Sequence, residues 1–328
     1  MKTLVEKLEK WGTRKVVILT DANVALLYSH FFDALTGLFS CQTIVLPASE
    51  SSKTVEQAIQ IWQQLQEWQV ERNDTLIMFG GGMVCDLGGF VAATYKRGVH
   101  SVFCPTTLLA MIDAAYGGKT AVNFNHVKNS IGVVRQPDYV MPANPAFLKT
   151  LPVAELKSGF GEMIKYALIA SPLLFNQIIE IKNLTAESIP FSWIQECVRI
   201  KEIVVKKDPY DHNERHVLNF GHTIGHAIEG YYAASGRNVS HGVAVAAGLL
   251  YESLLSEKVA GLSHNEYLKI ENLIRYHFKV KPFSKKKWDV LLPYLIQDKK
   301  NSDDKINFTL LRKIGHPIID ILIQDYPF

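Results

Sequence analysis

The sequence predicts an α/β N-terminal domain built on a parallel sheet, followed by a mainly α-helical C-terminal domain. Short β-branched runs alternate with helical segments through the first third of the chain, as in sheets covered on both faces. One of those runs leads directly into three glycines. From about residue 152 the apolar period becomes that of helices. We place the domains at 1–151 and 152–328.

The elements follow in order. Residues 15–19, KVVIL, read as a buried strand, and 24–35 as a helix. A second strand is expected at 43–46, an amphipathic helix at 52–70 and a third strand at 75–79. The alternation is Rossmann-like, and ligands of such sheets sit beyond the carboxyl ends of the strands. A helix over 83–97 and a strand over 101–104 come next. Prolines at 137, 142, 145 and 152 mark a linker-like stretch. Helices are then expected over roughly 153–170, 188–207, 213–233, 240–258 and 264–277. Only 306–311, INFTLL, suggests a strand in this half.

Composition excludes several classes of protein. Of the 328 residues, 48% are hydrophobic and 20% charged, which suits a globular chain with a substantial core. The formal net charge of +3 offers no polyanion-binding surface, so no nucleic acid partner is expected. No apolar run reaches the length of a membrane span, and the first residues lack a signal-peptide core. Cys41, Cys85, Cys104 and Cys197 are scattered without a CxxC. A cytoplasmic location is the expectation.

Several stretches carry chemistry. Gly80-Gly81-Gly82 between a strand and a helix lets backbone approach a ligand, and the helix N-terminus favours an anion such as a pyrophosphate. The alternative is a tight turn that demands positive φ. Asp86 is expected in the first turn of that helix. Thr106 and Thr107 stand at a strand end. Asp113 lies in an otherwise apolar helical stretch and needs a partner or a task. Gly117-Gly118-Lys119-Thr120 looks like the tail of a Walker A motif, but Asp113 stands where its first glycine belongs. Lys128-Asn129 falls in a turn-rich stretch.

Farther on, LNFGHTIGHAIE places His222 and His226 one helical turn apart on one face. His241 follows in SHGVAVAAG, and Glu162 precedes both in GFGEMIKYALI. Two imidazoles and a carboxylate make a donor set that a catalytic divalent metal accepts. Spacing alone equally allows His222 and His226 to be ordinary polar residues of a buried helix.

Five stretches, GGGMVCDLGGFVAATYKRG, PTTLLAMIDAAYGGKTAVN, GFGEMIKYALI, LNFGHTIGHAIE and SHGVAVAAG, occur in this order. Together they resemble the 3-dehydroquinate synthase family of sugar phosphate cyclases, over roughly residues 15–315. The resemblance implies a dehydroquinate synthase-like fold, with an NAD-binding α/β domain, a helical metal-binding domain and the active site between them. It implies Glu162, His222 and His241 as ligands of a divalent metal, zinc or cobalt, and makes His226 a substrate contact instead. Positions around NAD would be Asp21, Asn23, Glu50, Lys53, Gly80, Gly81, Gly82, Asp86, Thr106, Thr107, Lys128, Phe147 and Thr150. Substrate contacts would be Arg97, Asp113, Lys119, Asn129, Lys165, Lys201, Arg215, Asn219, His226 and Lys299, with Lys300 as the alternative to the last. Arg97 would reach across the interface of a homodimer.

The reaction so implied converts 3-deoxy-D-arabino-heptulosonate 7-phosphate to 3-dehydroquinate and phosphate, a step toward aromatic amino acids. It runs through transient oxidation by NAD, β-elimination of phosphate, reduction, ring opening and aldol closure. Arg215 offers a planar fork for the substrate carboxylate, and lysines offer point charges for its phosphate. Rival expectations are an inosose- or valiolone-forming cyclase, or a metal-dependent polyol dehydrogenase of related fold. The chain is somewhat short for the family, and Tyr116 stands beside the GGK turn where a smaller residue is usual.

Overall fold

The computed structural model describes residues 1–125, 127–237, 239–281, 283, 285–296 and 305–324. The chain divides into two compact units, Met1–Leu148 and Lys149–Phe328.

Unit 1 opens with helix α1 (Lys2–Lys10), then β1 (Lys15–Asp21), α2 (Ala22–Tyr28), α3 (Asp33–Thr36), β2 (Ser40–Leu46), α4 (Val55–Glu67) and β3 (Thr75–Gly80). It continues with α5 (Gly82–Thr94), β4 (His100–Pro105), β5 (Lys119–Phe124), β6 (Val127–Val134) and β7 (Tyr139–Val140). Five strands pair in parallel in the order β2-β1-β3-β4-β7. The chain leaves β1 toward β2 on one side and returns to β3 on the other. That reversal is a topological switch point, where sheets of this kind leave a crevice at the strand ends. Asp21 and Gly80 close the two strands that flank it.

Burial explains why β1 and β3 read as unbroken apolar runs. Val17, Leu19, Leu76 and Met78 are buried in one core with Leu87, Val91 and Phe103. Gly88 and Gly89 let helix α5 lie close on β3 and on strand β5. A Cβ on Gly88 would sit 2.3 Å from Met78 Cγ, and one on Gly89 would sit 2.4 Å from Thr120 Cγ2.

Unit 2 consists of α6 (Val153–Ala170), α7 (Pro172–Ile178), α8 (Phe191–Lys207), α9 (His222–Ala234), α10 (His241–Val259), α11 (His264–Phe278), α12 (Lys285–Ile296), β8 (Ile306–Lys313) and β9 (His316–Ile323). Helices α9, α10 and α12 pack with β8 around Ile224, Ile228, Leu255, Leu291, Phe308 and Leu310. Residues Ser158–Ile169 of α6 are all buried. No helix among the described residues is long and apolar enough to cross a membrane.

Several expectations need correction. The helix expected over 24–35 is two short helices, because Asp21 caps α2 and the chain turns at residues 29–32 before α3. Residues Lys128 and Asn129 belong to strand β6, whose partner β5 completes a hairpin rather than a turn-rich loop. The stretch 137–152 contains the edge strand β7 and a 3₁₀ turn, Pro145–Thr150, so it is not a bare linker. The helix expected over 213–233 is broken at Gly221, whose φ of +81° ends a 3₁₀ turn, Glu214–Asn219, before α9 begins. Strand β9 has no counterpart among the expected elements. Its run HPIIDILI carries a proline and an aspartate inside the strand, and register shifts in the β8–β9 ladder accommodate them.

Candidate active site

In unit 1 the candidate positions Asp21, Gly80–Gly82, Thr106 and Thr107 lie at the carboxyl ends of β1, β3 and β4. Gly81 is the N-cap of α5, with φ −80°. None of the three glycines has positive φ, so the tight-turn alternative falls. Steric closeness accounts for two of them: a Cβ on Gly80 would lie 2.6 Å from Val84 Cγ2, and one on Gly81 would lie 2.9 Å from Thr107 Cγ2, whereas one on Gly82 would only touch Ala114 Cβ at 3.4 Å. Asp86 is the fifth residue of α5, one residue past its first four, because the helix begins at Gly82.

Thr106 adjoins this turn, its backbone N–H donating to the Gly80 carbonyl at 3.0 Å. Its hydroxyl is buried without a hydrogen-bond partner. An orphaned hydroxyl beside a helix N-terminus at a switch point fits a bound pyrophosphate or ribose. Thr107 Oγ1 accepts from the Ala110 N–H at 3.2 Å.

The other candidates of unit 1 have visible local roles. Asp21 accepts from the N–H groups of Asn23 and Val24 at 3.0 and 3.1 Å and so caps α2, leaving Asn23 exposed. Lys53, 3% exposed, forms an ion pair with Asp86 at 2.5 Å and donates to Asn129 Oδ1 at the same distance. Burial raises the Asp86 pKa, and Lys53 holds part of that rise back. Asn129, with φ +52°, also donates its backbone N–H to Asn123, which in turn donates to Glu50. Substrate candidate Asn129 is thus tied to nucleotide candidates Lys53, Asp86 and Glu50. Phe147 is buried among Tyr28, Phe31 and Phe79. Arg97, Lys119 and Lys128 are exposed, and Asp113 is half-buried in a π-helical turn, Ala110–Ala114. Tyr116 packs on the core of the sheet.

Unit 2 brings Glu162, His222 and His241 together. Glu162 Oε1 lies 3.3 Å from His222 Nε2 and 3.1 Å from His241 Nε2. A tetrahedral cation with bonds of about 2.0–2.1 Å to N and O holds its ligand atoms about 3.3–3.4 Å apart. Both distances are close to that spacing, and one ligand atom from each of the three side chains lies within 4.8 Å of the others. Each imidazole is oriented from behind. His222 Nδ1 is 3.3 Å from the Phe220 carbonyl, and His241 Nδ1 is 3.3 Å from Glu229 Oε2. Acceptors at both Nδ1 atoms leave the Nε2 atoms as the ligating ones.

The electrostatics suit a cation. Glu162 is fully buried with Lys165 Nζ 2.5 Å from its second oxygen. Burial alone would raise the Glu162 pKa, but Lys165 and His222 outweigh it and hold the carboxylate well below its usual range. Burial lowers the pKa of His222 and favours its neutral, ligating form. Burial also opposes charge on His241, yet hydrogen bonds to Glu162 and Glu229 push it up to about 10.

Glycines let three helices converge on this point. A Cβ on Gly242 would lie 1.7 Å from the Ser158 carbonyl oxygen, and one on Gly161 would lie 2.2 Å from that of Gly242. A Cβ on Gly248 would lie 1.9 Å from the Gly221 oxygen. Backbone meets backbone where α6 crosses α10 and where α10 meets the start of α9. Each of the three donor residues has a glycine one position away, in GFGE, FGH and SHG. These glycines are the signal of the crossings that the sequence carries, whereas Glu229 is not among the expected site residues.

His226 is exposed, its ring centroid 5.3 Å from that of His222 and 6.3 Å from that of His241. Arg215 is buried in the 3₁₀ turn that also carries Asn219, and it donates to the Pro209 carbonyl at 2.8 Å. Asp208 accepts from the N–H groups of His212, Asn213 and Arg215, which folds the segment before Arg215. Lys201 is buried in α8, and Thr150 is exposed. Lys299 and Lys300 lie outside the described residues.

A five-stranded parallel sheet with a glycine turn at its strand ends, followed by a mainly helical region, is the fold class of the sugar phosphate cyclases. The solved structure of a 2-epi-5-epi-valiolone synthase from Streptomyces hygroscopicus, with NAD⁺ and Zn²⁺ bound, matches with a TM-score of 0.84 at 26% identity, over 95% of this chain and 87% of that one. Within the class, the chain belongs to the 3-dehydroquinate synthase family: the family's N-terminal model matches residues 43–158 and its C-terminal model residues 159–301. The 3-dehydroquinate synthase of Pyrococcus abyssi is 37% identical over the whole chain and 93% of its own length. That of Parabacteroides distasonis is 35% identical over 92% of the chain and 85% of its own length.

Proposed function

We propose that the chain converts 3-deoxy-D-arabino-heptulosonate 7-phosphate to 3-dehydroquinate and phosphate, with NAD⁺ and a divalent metal, zinc or cobalt. The observation that carries this reading is the convergence of Glu162, His222 and His241 at metal-ligand spacing in a chain of this family. NAD⁺ and Zn²⁺ in the valiolone synthase structure support the same pair of cofactors.

When bound, the metal polarises the substrate hydroxyl, and NAD⁺ takes up and returns one hydride. The protein's own residues do the rest. Glu162, His222 and His241 hold the metal. Lys165 balances the buried carboxylate. Arg215 receives the substrate carboxylate in a planar fork, its backbone fixed by Asp208. Asn219 and His226 add polar contacts to the substrate, and Lys201 and Lys299 add positive charge. Asp113, Lys119, Asn129 and Arg97 complete the substrate contacts, with the phosphate drawn to the lysines. Around NAD⁺, Gly80–Gly82 and Thr106 approach the pyrophosphate, and Asp21, Asn23, Glu50, Lys53, Asp86, Thr107, Lys128, Phe147 and Thr150 surround the nucleotide. The site fixes the ring-opened product so that it closes on itself.

We also take the protein to be a cytoplasmic homodimer. Its four cysteines are all thiols, and Arg97 is exposed where a second copy can use it.

The test is to supply the heptulosonate phosphate with NAD⁺ and Zn²⁺ and identify the product. Phosphate release with 3-dehydroquinate and no net NADH is the expected result. Accumulating NADH would make the protein a polyol dehydrogenase. A carbocycle formed only from another sugar phosphate would make it an inosose- or valiolone-type cyclase.

A further inference from the structure

Glu252 is a fully buried carboxylate on α10, about three turns beyond His241 and on the same helix face. Its two oxygens accept from the backbone N–H groups of Gly221 at 2.5 Å and Ile224 at 3.0 Å. These are the N-cap and third-residue amides of α9. In a capping box, side chains of the helix itself satisfy that pair of amides. Here neither can. Gly221 has no side chain, and two features bar one: its φ is +81°, and a Cβ there would lie 2.6 Å from Leu249 Cδ2. Ile224 is apolar. Glu252 supplies both bonds from a different helix, with a negative charge that suits a helix N-terminus.

His222 is the first residue of that helix, between the two gripped amides. Its ring leans on the Phe220 carbonyl through Nδ1, so its direction depends on the backbone of 220–224. Without a fixed turn at Gly221, that carbonyl and the ring would move together.

We propose that Glu252 is a positioning residue: by holding both amides at the start of α9 it aims His222 Nε2 at the centre formed with Glu162 and His241, and so sets the affinity for the divalent cation. The inference rests on the metal-centre reading above. Glu252 touches no ligand atom and acts through the backbone.

The test uses Glu252→Gln, which keeps the shape but removes the charge and replaces one acceptor oxygen with an NH₂ group. Zn²⁺ affinity of the metal-stripped protein is measured by competition with a chromophoric chelator, beside NAD⁺ affinity and thermal unfolding. Zinc binding should weaken roughly 10–100-fold, as for other groups that orient metal ligands, with NAD⁺ affinity unchanged. Lowered stability with wild-type zinc affinity would overturn the proposal and leave Glu252 a structural cap. His222→Ala separates the two levels. If it binds zinc as the wild type does, the metal-centre reading fails. If it loses zinc while Glu252→Gln keeps it, only the positioning role fails. Should Glu252→Gln not fold, amide exchange in the wild type decides. Linkage requires zinc to slow exchange at Gly221 and Ile224, and unchanged exchange overturns the proposal.

Discussion

The two units build their sites by opposite means. In unit 1 the centre of the candidate nucleotide site is backbone: strand ends, a glycine turn and a helix N-terminus, with one orphaned hydroxyl beside them. Its central parts, Gly80–Gly82 and Thr106–Thr107, are joined through two neighbouring strands. In unit 2 the candidate metal centre is made of side chains from three helices, and Glu162 and His241 are far apart in sequence. Glycines at each crossing bring those helices together, and Glu229, Glu252 and Phe220 aim the rings. A backbone site tolerates side-chain exchange around it. A side-chain site depends on each ligand and on each close approach behind it.

The largest effect that follows is total loss at the metal centre. Glu162→Gln and His222→Ala should each abolish metal-dependent phosphate release, while circular dichroism and NAD⁺ binding stay near wild type. Near-normal turnover in either variant would remove the metal centre from the comparison altogether.

Next in size is the glycine contact. In Gly242→Ala the new methyl meets the Ser158 carbonyl oxygen at 1.7 Å, and backbone cannot swing aside as a side chain can. Overpacking of this kind costs about 1–3 kcal/mol, and the rigidity here favours the upper end. Urea unfolding measures the loss, and zinc affinity should fall with it because His241 is adjacent. An alanine accepted without cost would mean that α6 and α10 are less tightly joined than the contact implies.

These two effects also show what the sequence could convey. The sheet was legible because strands buried on both faces are apolar throughout, and because a glycine turn between strand and helix is local. The spacing of His222 and His226 points to one helix but does not choose which of the two pairs with His241. On spacing alone both face the same way, and the choice of His222 with His241 depends on a turn at Gly221 and a partner helix distant in sequence. The resemblance to a known family carried that choice, while the geometry groups Glu162, His222 and His241 and also His226, Glu229 and His241. Hairpin β5–β6 was missed because six successive residues of β6 are exposed, so no apolar alternation marks the strand. Gly221 broke the helix expected over 213–233 because a single positive-φ residue is invisible to periodicity.

A smaller effect probes the backbone site. Thr106→Val keeps the shape of a buried side chain whose hydroxyl has no hydrogen-bond partner. Removing an unsatisfied group should leave stability unchanged or slightly raised. If that hydroxyl serves bound NAD⁺, affinity should fall by about 0.5–1.5 kcal/mol, or about 2–10-fold. Calorimetry of NAD⁺ binding beside thermal unfolding separates the two. Unchanged affinity would assign Thr106 to neither stability nor the nucleotide.

The smallest effect concerns Asp208, whose carboxylate folds the segment leading to Arg215. Burial opposes its charge, but backbone N–H groups of Asn213, His212 and Arg215 win and hold its pKa down to about 2. A group depressed in the folded state contributes stability above its unfolded value, here 3.8, and that contribution is lost as pH falls toward 2. Wild-type protein should therefore weaken between about pH 4 and pH 2 by more than Asp208→Asn does, the variant starting lower at neutral pH and declining less. Other acids with lowered pKa, such as Glu196 and Glu266, weaken both proteins alike, so the difference between the two urea-midpoint curves isolates Asp208. Because the Arg215 N–H is one of the three donors, the variant should also raise KM for substrate more than it lowers kcat. Parallel stability curves, or a change confined to kcat, would detach Asp208 from the placement of Arg215.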